Sequence, residues 1–156
     1  MTEHLHATLD LAAEPRLPFP TAFIASHKPD GVVAVERRPD GLYVDAKKVV
    51  LFRSELQTDG VQGPQLYDEL FEKAVLNANV LQFLIQNPEF IPESPDWKKQ
   101  GEEADVMIYF WGTLFGHPNG DHCVSHMEWN GASWTWSCSS IQNWWLENQP
   151  AALLEA

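Results

Sequence analysis

Residues 117–145, HPNGDHCVSHMEWNGASWTWSCSSIQNWW, hold both cysteines, three of the six histidines and five of the seven tryptophans, and their reading decides the fold. Asn130-Gly131 supplies the two positive-φ residues that a two-residue type I′ turn requires, between two runs of alternating character. A β-hairpin follows. Trp129 faces Ala132 in it, Met127 faces Trp134, Ser125 faces Trp136 and Cys123 faces Cys138. Side chains alternate with period two, so all of these share one face. The other face carries His122, Val124, His126 and Glu128 against Ser133, Thr135, Ser137 and Ser139, and reads as polar.

Immediately upstream, residues 106–115, VMIYFWGTLF, are apolar on both faces, as in a central strand, with Gly112 marking a bulge or a close neighbour. This strand and the hairpin make a three-stranded antiparallel meander. In the N-terminal half, Pro-Asp-Gly turns at 29–31 and 39–41 bracket the β-branched run 32–35. The second closes a hairpin with arms near 32–37 and 42–45, and Val49-Val50-Leu51-Phe52 adds a buried strand. Between the halves, Pro64 opens a helical stretch reaching Gln86, with Leu66, Tyr67, Leu70, Phe71, Ala74, Val75, Ala78, Leu81, Leu84 and Ile85 at three-and-four spacing. Asn77 or Asn79 can cap a second helix within it. In one long helix, Asp68, Glu69 and Glu72 fall in the first turns and favour its dipole.

Residues 1–22 read as an irregular arm, with His4 and His6 given no role; 98–105 reads as a charged loop and 150–154 as a short tail. The expected fold is α+β, one domain over 23–156, with an antiparallel sheet made of the N-terminal hairpin and the C-terminal meander packed on one main helical segment.

The formal charge is −12, and no Lys or Arg follows Lys99. Nucleic-acid binding depends on clustered cations that displace counterions, so the hairpin half is not expected to bind nucleic acid directly. An anionic membrane surface is disfavoured for the same reason. No stretch approaches a membrane span or a leader peptide, and a cytoplasmic address is expected. Acidic residues outnumber basic ones by nine to three over 61–105, an excess that suits a basic partner or an imitation of nucleic acid, with solubility alone as the plainer reading.

LNANVLQFLIQNPEFIPES at 76–94, FWGT at 110–113 and EWNGASWTWSC at 128–138 resemble a group of small uncharacterised bacterial proteins. In that group an LNANVL-type helix precedes a Trp-rich antiparallel C-terminal region. The resemblance implies the fold and brings no activity, cofactor or catalytic residue with it.

Three functions compete. The expected one is non-catalytic binding of another macromolecule, as an accessory, inhibitor or immunity-type protein, with Trp129, Trp144 and Trp145 as contact residues and no cofactor. The alternative is a metal-dependent enzyme holding a divalent ion such as zinc on His126, Glu128 and His117 or Asp121. His126 and Glu128, two apart on a strand, lie about 7 Å apart, whereas His122 is roughly 13 Å from His126. The third is a glycan-binding module using an exposed indole. Cys123 and Cys138 read as small buried residues able to pair under oxidation, with no Lys or Arg nearby in sequence to favour a thiolate.

Overall fold

The structure, a computed structural model, describes residues 4–100 and 104–155. Part of the stretch read as an irregular arm is a regular strand, β1 (Leu5–Asp10). Leu5, Ala7 and Leu9 alternate with outward polar residues and pack on the core; the three prolines that suggested irregularity all follow the strand. After β2 (Phe23–His27) comes β3 (Val32–Arg38), which pairs with β1 on one side and with β4 (Gly41–Val44) on the other. A two-residue turn of Asp45 and Ala46, at φ 53° and 63°, then leads into β5 (Lys47–Phe52). Two successive positive-φ residues are the mark of a type I′ turn, here without the glycine that announces one.

The helical stretch is two helices. After β6 (Val61–Gln62), α1 (Gly63–Leu70) stops short, and α2 (Ala78–Gln86) restarts with Asn77 as its cap, the side chain accepting from Asn79 N at 2.9 Å. Asp68 and Glu69 therefore lie in the last turn of α1 and Glu72 beyond it, so the favourable dipole placement expected for one long helix is lost.

The charged run read as a loop holds a short antiparallel pair, β7 (Lys99–Gln100) with β8 (Ala104–Asp105); the part of that reading that falls on 101–103 lies outside the described residues. The single central strand expected over 106–115 is broken into β9 (Met107–Tyr109) and β10 (Thr113–Gly116). The break is at Gly112, whose N–H donates to Leu76 O (2.9 Å) and whose carbonyl accepts from Lys28 N (2.7 Å). Both halves still pair with the same neighbour, β11 (His122–Trp129).

β11 and β12 (Trp134–Ser140) form the hairpin, two residues out of the expected register: Trp129 faces Trp134, Met127 faces Trp136, and Cys123 faces Ser140 rather than Cys138. The Asn130 side chain is the cause. Its Oδ1 accepts from Ala132 N (2.9 Å) and Ser133 N (2.8 Å), building a four-residue loop in which only Gly131 has positive φ. A slip of two preserves the faces, as a slip of one would not.

β13 (Trp144–Trp145) pairs with β6, and the supposed tail is β14 (Ala151–Leu154). It lies between β5, antiparallel, and β9, bridged in parallel at Ala151–Tyr109, and so joins the two halves of the molecule. Among the described residues ten strands share one sheet, in the order β1-β3-β4-β5-β14-β9-β11-β10-β2 with β12 also on β11, a larger sheet than the two pieces expected.

That sheet is curled. From β1 to β12 by way of β11 is seven strand spacings, about 34 Å if flat. Yet the single helix α2, about 14 Å long and roughly 10 Å across, touches β1, β11 and β12. Inside the curl, Leu76, Val80, Leu81 and Leu84 pack with Val35, Leu42, Val44, Ile108 and Met127, and with the half-buried Trp134 and Trp136. Outside it, Leu66 and Leu70 of α1 cover Tyr109, Trp111, Val124, Trp145 and Leu153. The hairpin face read as polar thus lies partly under a second apolar layer. No helix among the described residues is long and apolar enough to cross a membrane.

Candidate functional site

Among the described residues, several polar clusters and an apolar surface can host chemistry or recognition. The first cluster surrounds the Leu11 carbonyl, which accepts from His27 Nε2 (2.8 Å), Asn77 Nδ2 (3.1 Å) and Asn79 Nδ2 (3.0 Å). His27 Nδ1 meets Thr113 Oγ1 at 2.8 Å, and that hydroxyl accepts from Ala78 N at 2.9 Å. One tautomer satisfies all of this: Nε2 donates to Leu11, and Nδ1 accepts from Thr113. Asn79 Nδ2 also reaches Asp10 O and Ala13 O, and Asn77 Nδ2 reaches Pro29 O. The asparagines of the LNANVL block clamp the N-terminal segment to the start of α2, and so satisfied a network acts as a structural fastening.

The second cluster contains the proposed metal ligands, which the fold separates. His126 Nε2 and Glu128 Oε1 are 3.4 Å apart near one end of β11. Asp121 and His117 sit in the loop at the other end, about 16 Å from His126 by strand rise for Asp121. Asp121 is engaged by the Ser140 hydroxyl (2.9 and 3.1 Å) and by His122 N (2.8 Å); His117 Nδ1 accepts from Asn119 N (3.1 Å). The alternative grouping, His126 and Glu128 with His117 or Asp121, is not assembled, because it needed the loop to fold back over the strand.

His126 is instead a buried residue, 5% exposed, its ring 4.8 Å from that of Tyr109 and its Nδ1 without a hydrogen-bond partner among the described residues. Burial pushes its pKa below the usual imidazole value, with Glu128 partly opposing. The folded state therefore favours neutral His126, and its contribution to stability is complete above the unfolded-state pKa of 6.5. It is lost as pH falls from there through the folded value. Denaturant midpoints measured between pH 7.5 and about 5 should fall for the wild type and fall less for His126→Phe; parallel slopes would show that other groups carry the dependence.

The third cluster is the cysteine pair. The two are diagonal neighbours on one face, free, with Cys123 buried and Cys138 half-buried. The coupling between the two thiols brings the Cys138 thiol down to about 7 and pushes Cys123 up. The sequence reading looked for a cation to stabilise a thiolate; the second thiol does this work. Carbamidomethylation of Cys138 should follow an ionisation midpoint near 7 and shift towards the ordinary thiol value in Cys123→Ala. A wild-type midpoint at the ordinary value, about 8.5, would contradict the arrangement.

Of the three proposed contact tryptophans, Trp145 is fully buried, its ring 4.4 Å from Tyr109 and 4.9 Å from Trp111, and no partner can reach it. Trp129 is half-covered, packed on Trp134 at 5.6 Å with the Lys98 ammonium 4.1 Å above its ring. Trp144 is 62% exposed. Adjacent strand residues point opposite ways, so burying Trp145 turns Trp144 outward. Leu146 beside it is about half exposed. A Cβ on Gly60 would lie 3.3 Å from Leu146 and 3.5 Å from Trp144, so both side chains lie over that glycine. Gln57 fixes the neighbouring backbone, its Nε2 donating to Leu146 O (2.8 Å) and Gln149 O (2.9 Å). Leu146 was not a candidate in the sequence, where nothing but its place after the Trp144-Trp145 pair marks it. Comparison with protein-family models, with curated proteins and with solved structures found no match to this chain.

Proposed function

We propose that this is a non-catalytic binding protein that engages a basic protein partner through the corner formed by Trp144 and Leu146. The observation that carries the reading is the exposure of two large apolar side chains, Trp144 and Leu146, together over Gly60 on one braced corner, where burial would return free energy that folding did not use. Exposed Asp59 immediately precedes Gly60, over which both side chains lie, and the net charge of −12 favours a cationic partner. An indole in a ring of polar groups is the usual composition of an interface anchor.

Affinity capture from the native host, run in parallel with wild-type chain and with Trp144→Ala, tests the reading. A basic protein recovered by the wild type and lost from the variant, with the thermal midpoint unchanged, is the expected result. Equal recovery by both chains would remove the corner from the interface, and quenching of tryptophan fluorescence by sugars alone would replace the protein partner with a glycan.

A further inference from the structure

His4, just ahead of the edge strand β1, and His6 within it lie on the face opposite to Leu5, Ala7 and Leu9, which are anchored in the core. Its ladder with β3 places His6 directly across from Glu36. Glu36 Oε2 lies 2.9 Å from His4 Nε2 and 4.0 Å from His6 Nδ1, and the two rings are 4.3 Å apart. One ligand atom from each of the three residues falls within 4.8 Å of the other two. A tetrahedral zinc ion with bonds of 2.0–2.2 Å needs ligand atoms roughly 3.4 Å apart, a value inside the range already present. Small side-chain rotations, without backbone movement, would bring the three onto one ion.

We propose that His4, His6 and Glu36 form a site for a divalent transition metal of the zinc class, with the remaining coordination position open to water. Two imidazoles and one carboxylate are a donor set that such ions take and that magnesium and calcium do not favour. Glu36 is mostly shielded, and Arg38 approaches both of its oxygens at 3.3 Å, holding the carboxyl below its usual range and fixing its orientation. A bound ion would share Oε2 and leave Oε1 to the guanidinium, so Arg38 serves as an orienting neighbour. The site lies on residues that the binding corner does not use, and neither depends on the other.

The test uses the full chain without a histidine tag, equilibrium dialysis against Zn²⁺, and thermal melts with Zn²⁺ or with a chelator. One zinc per chain is expected, with a thermal midpoint that rises with the ion because only the folded ladder assembles the three ligands. His6→Ala and Glu36→Gln should each weaken binding by about tenfold or more, while His126→Ala leaves it unchanged. Visible absorption of the Co²⁺ form should show the intense bands of tetrahedral coordination in the wild type and lose them in both ligand variants. Absence of stoichiometric zinc, or zinc retained by the His4→Ala, His6→Ala double variant, would overturn the proposal.

Discussion

Replacing Gly112 by alanine is expected to leave little folded protein. A Cβ there would stand 2.1 Å from Lys28 O and 2.8 Å from the Leu76 backbone, distances at which the chains must part. Those same backbones hold Gly112 through its N–H and its carbonyl, so separating them breaks both hydrogen bonds and pulls apart the end of β2, the approach to α2 and the β9–β10 break. The glycine is demanded by space and not by its φ, which lies outside the left-handed region. A cost above about 4 kcal/mol is expected, a large part of the 5–15 kcal/mol that holds a domain together. Gly120→Ala is the control. It meets open space but has φ +91°, so it should cost only backbone strain, on the order of 1–2 kcal/mol. Urea midpoints and soluble yields give the order, and a Gly120 variant less stable than the Gly112 variant would contradict it.

The second large effect is at Asn79. Its amide nitrogen lies within hydrogen-bond range of three backbone carbonyls between Asp10 and Ala13, at 3.1, 3.0 and 2.7 Å, and the side chain is buried. Asn79→Ala should cost about 3 kcal/mol, because acceptors are left unpaired away from water. Asn79→Asp should cost more, although its shape is nearly unchanged, because it turns the carboxamide donor into an anion facing carbonyl oxygens. Chemical denaturation of the three chains at pH 7 separates this from a packing role: equal losses for Ala and Asp would mean that the side chain's volume matters and its protons do not.

What the sequence discloses divides by range. Alternation within 122–140 sorted the hairpin side chains onto their observed faces, since period two survives a slip of two residues. The register itself did not follow, because it depends on whether Asn130 adopts positive φ or uses its side chain to hold a wider loop, and the dipeptide permits both. The Asp45-Ala46 turn was hidden by the absence of glycine. β14 is Ala-Ala-Leu-Leu, four residues with no strand propensity, made a central strand by β5, 99 residues back at Ala151–Phe52, and β9, 42 residues back at Ala151–Tyr109, which flank it on both sides. Likewise His6 and Glu36 meet through a pairing of β1 with β3 that no local pattern announces. At the candidate interface, alternation showed that Trp144 and Trp145 diverge; which of them is buried was decided by Tyr109 and Trp111.

The central claim is that Trp144 anchors a partner, and the most direct measurement is the dissociation constant of the captured protein for wild type, Trp144→Ala and Leu146→Ala. A buried aromatic anchor is worth about 2 kcal/mol or more, so Trp144→Ala should weaken binding by roughly 30-fold or more, and Leu146→Ala by less. All three chains should melt together, since both side chains are exposed. A dissociation constant unchanged by Trp144→Ala would contradict the account.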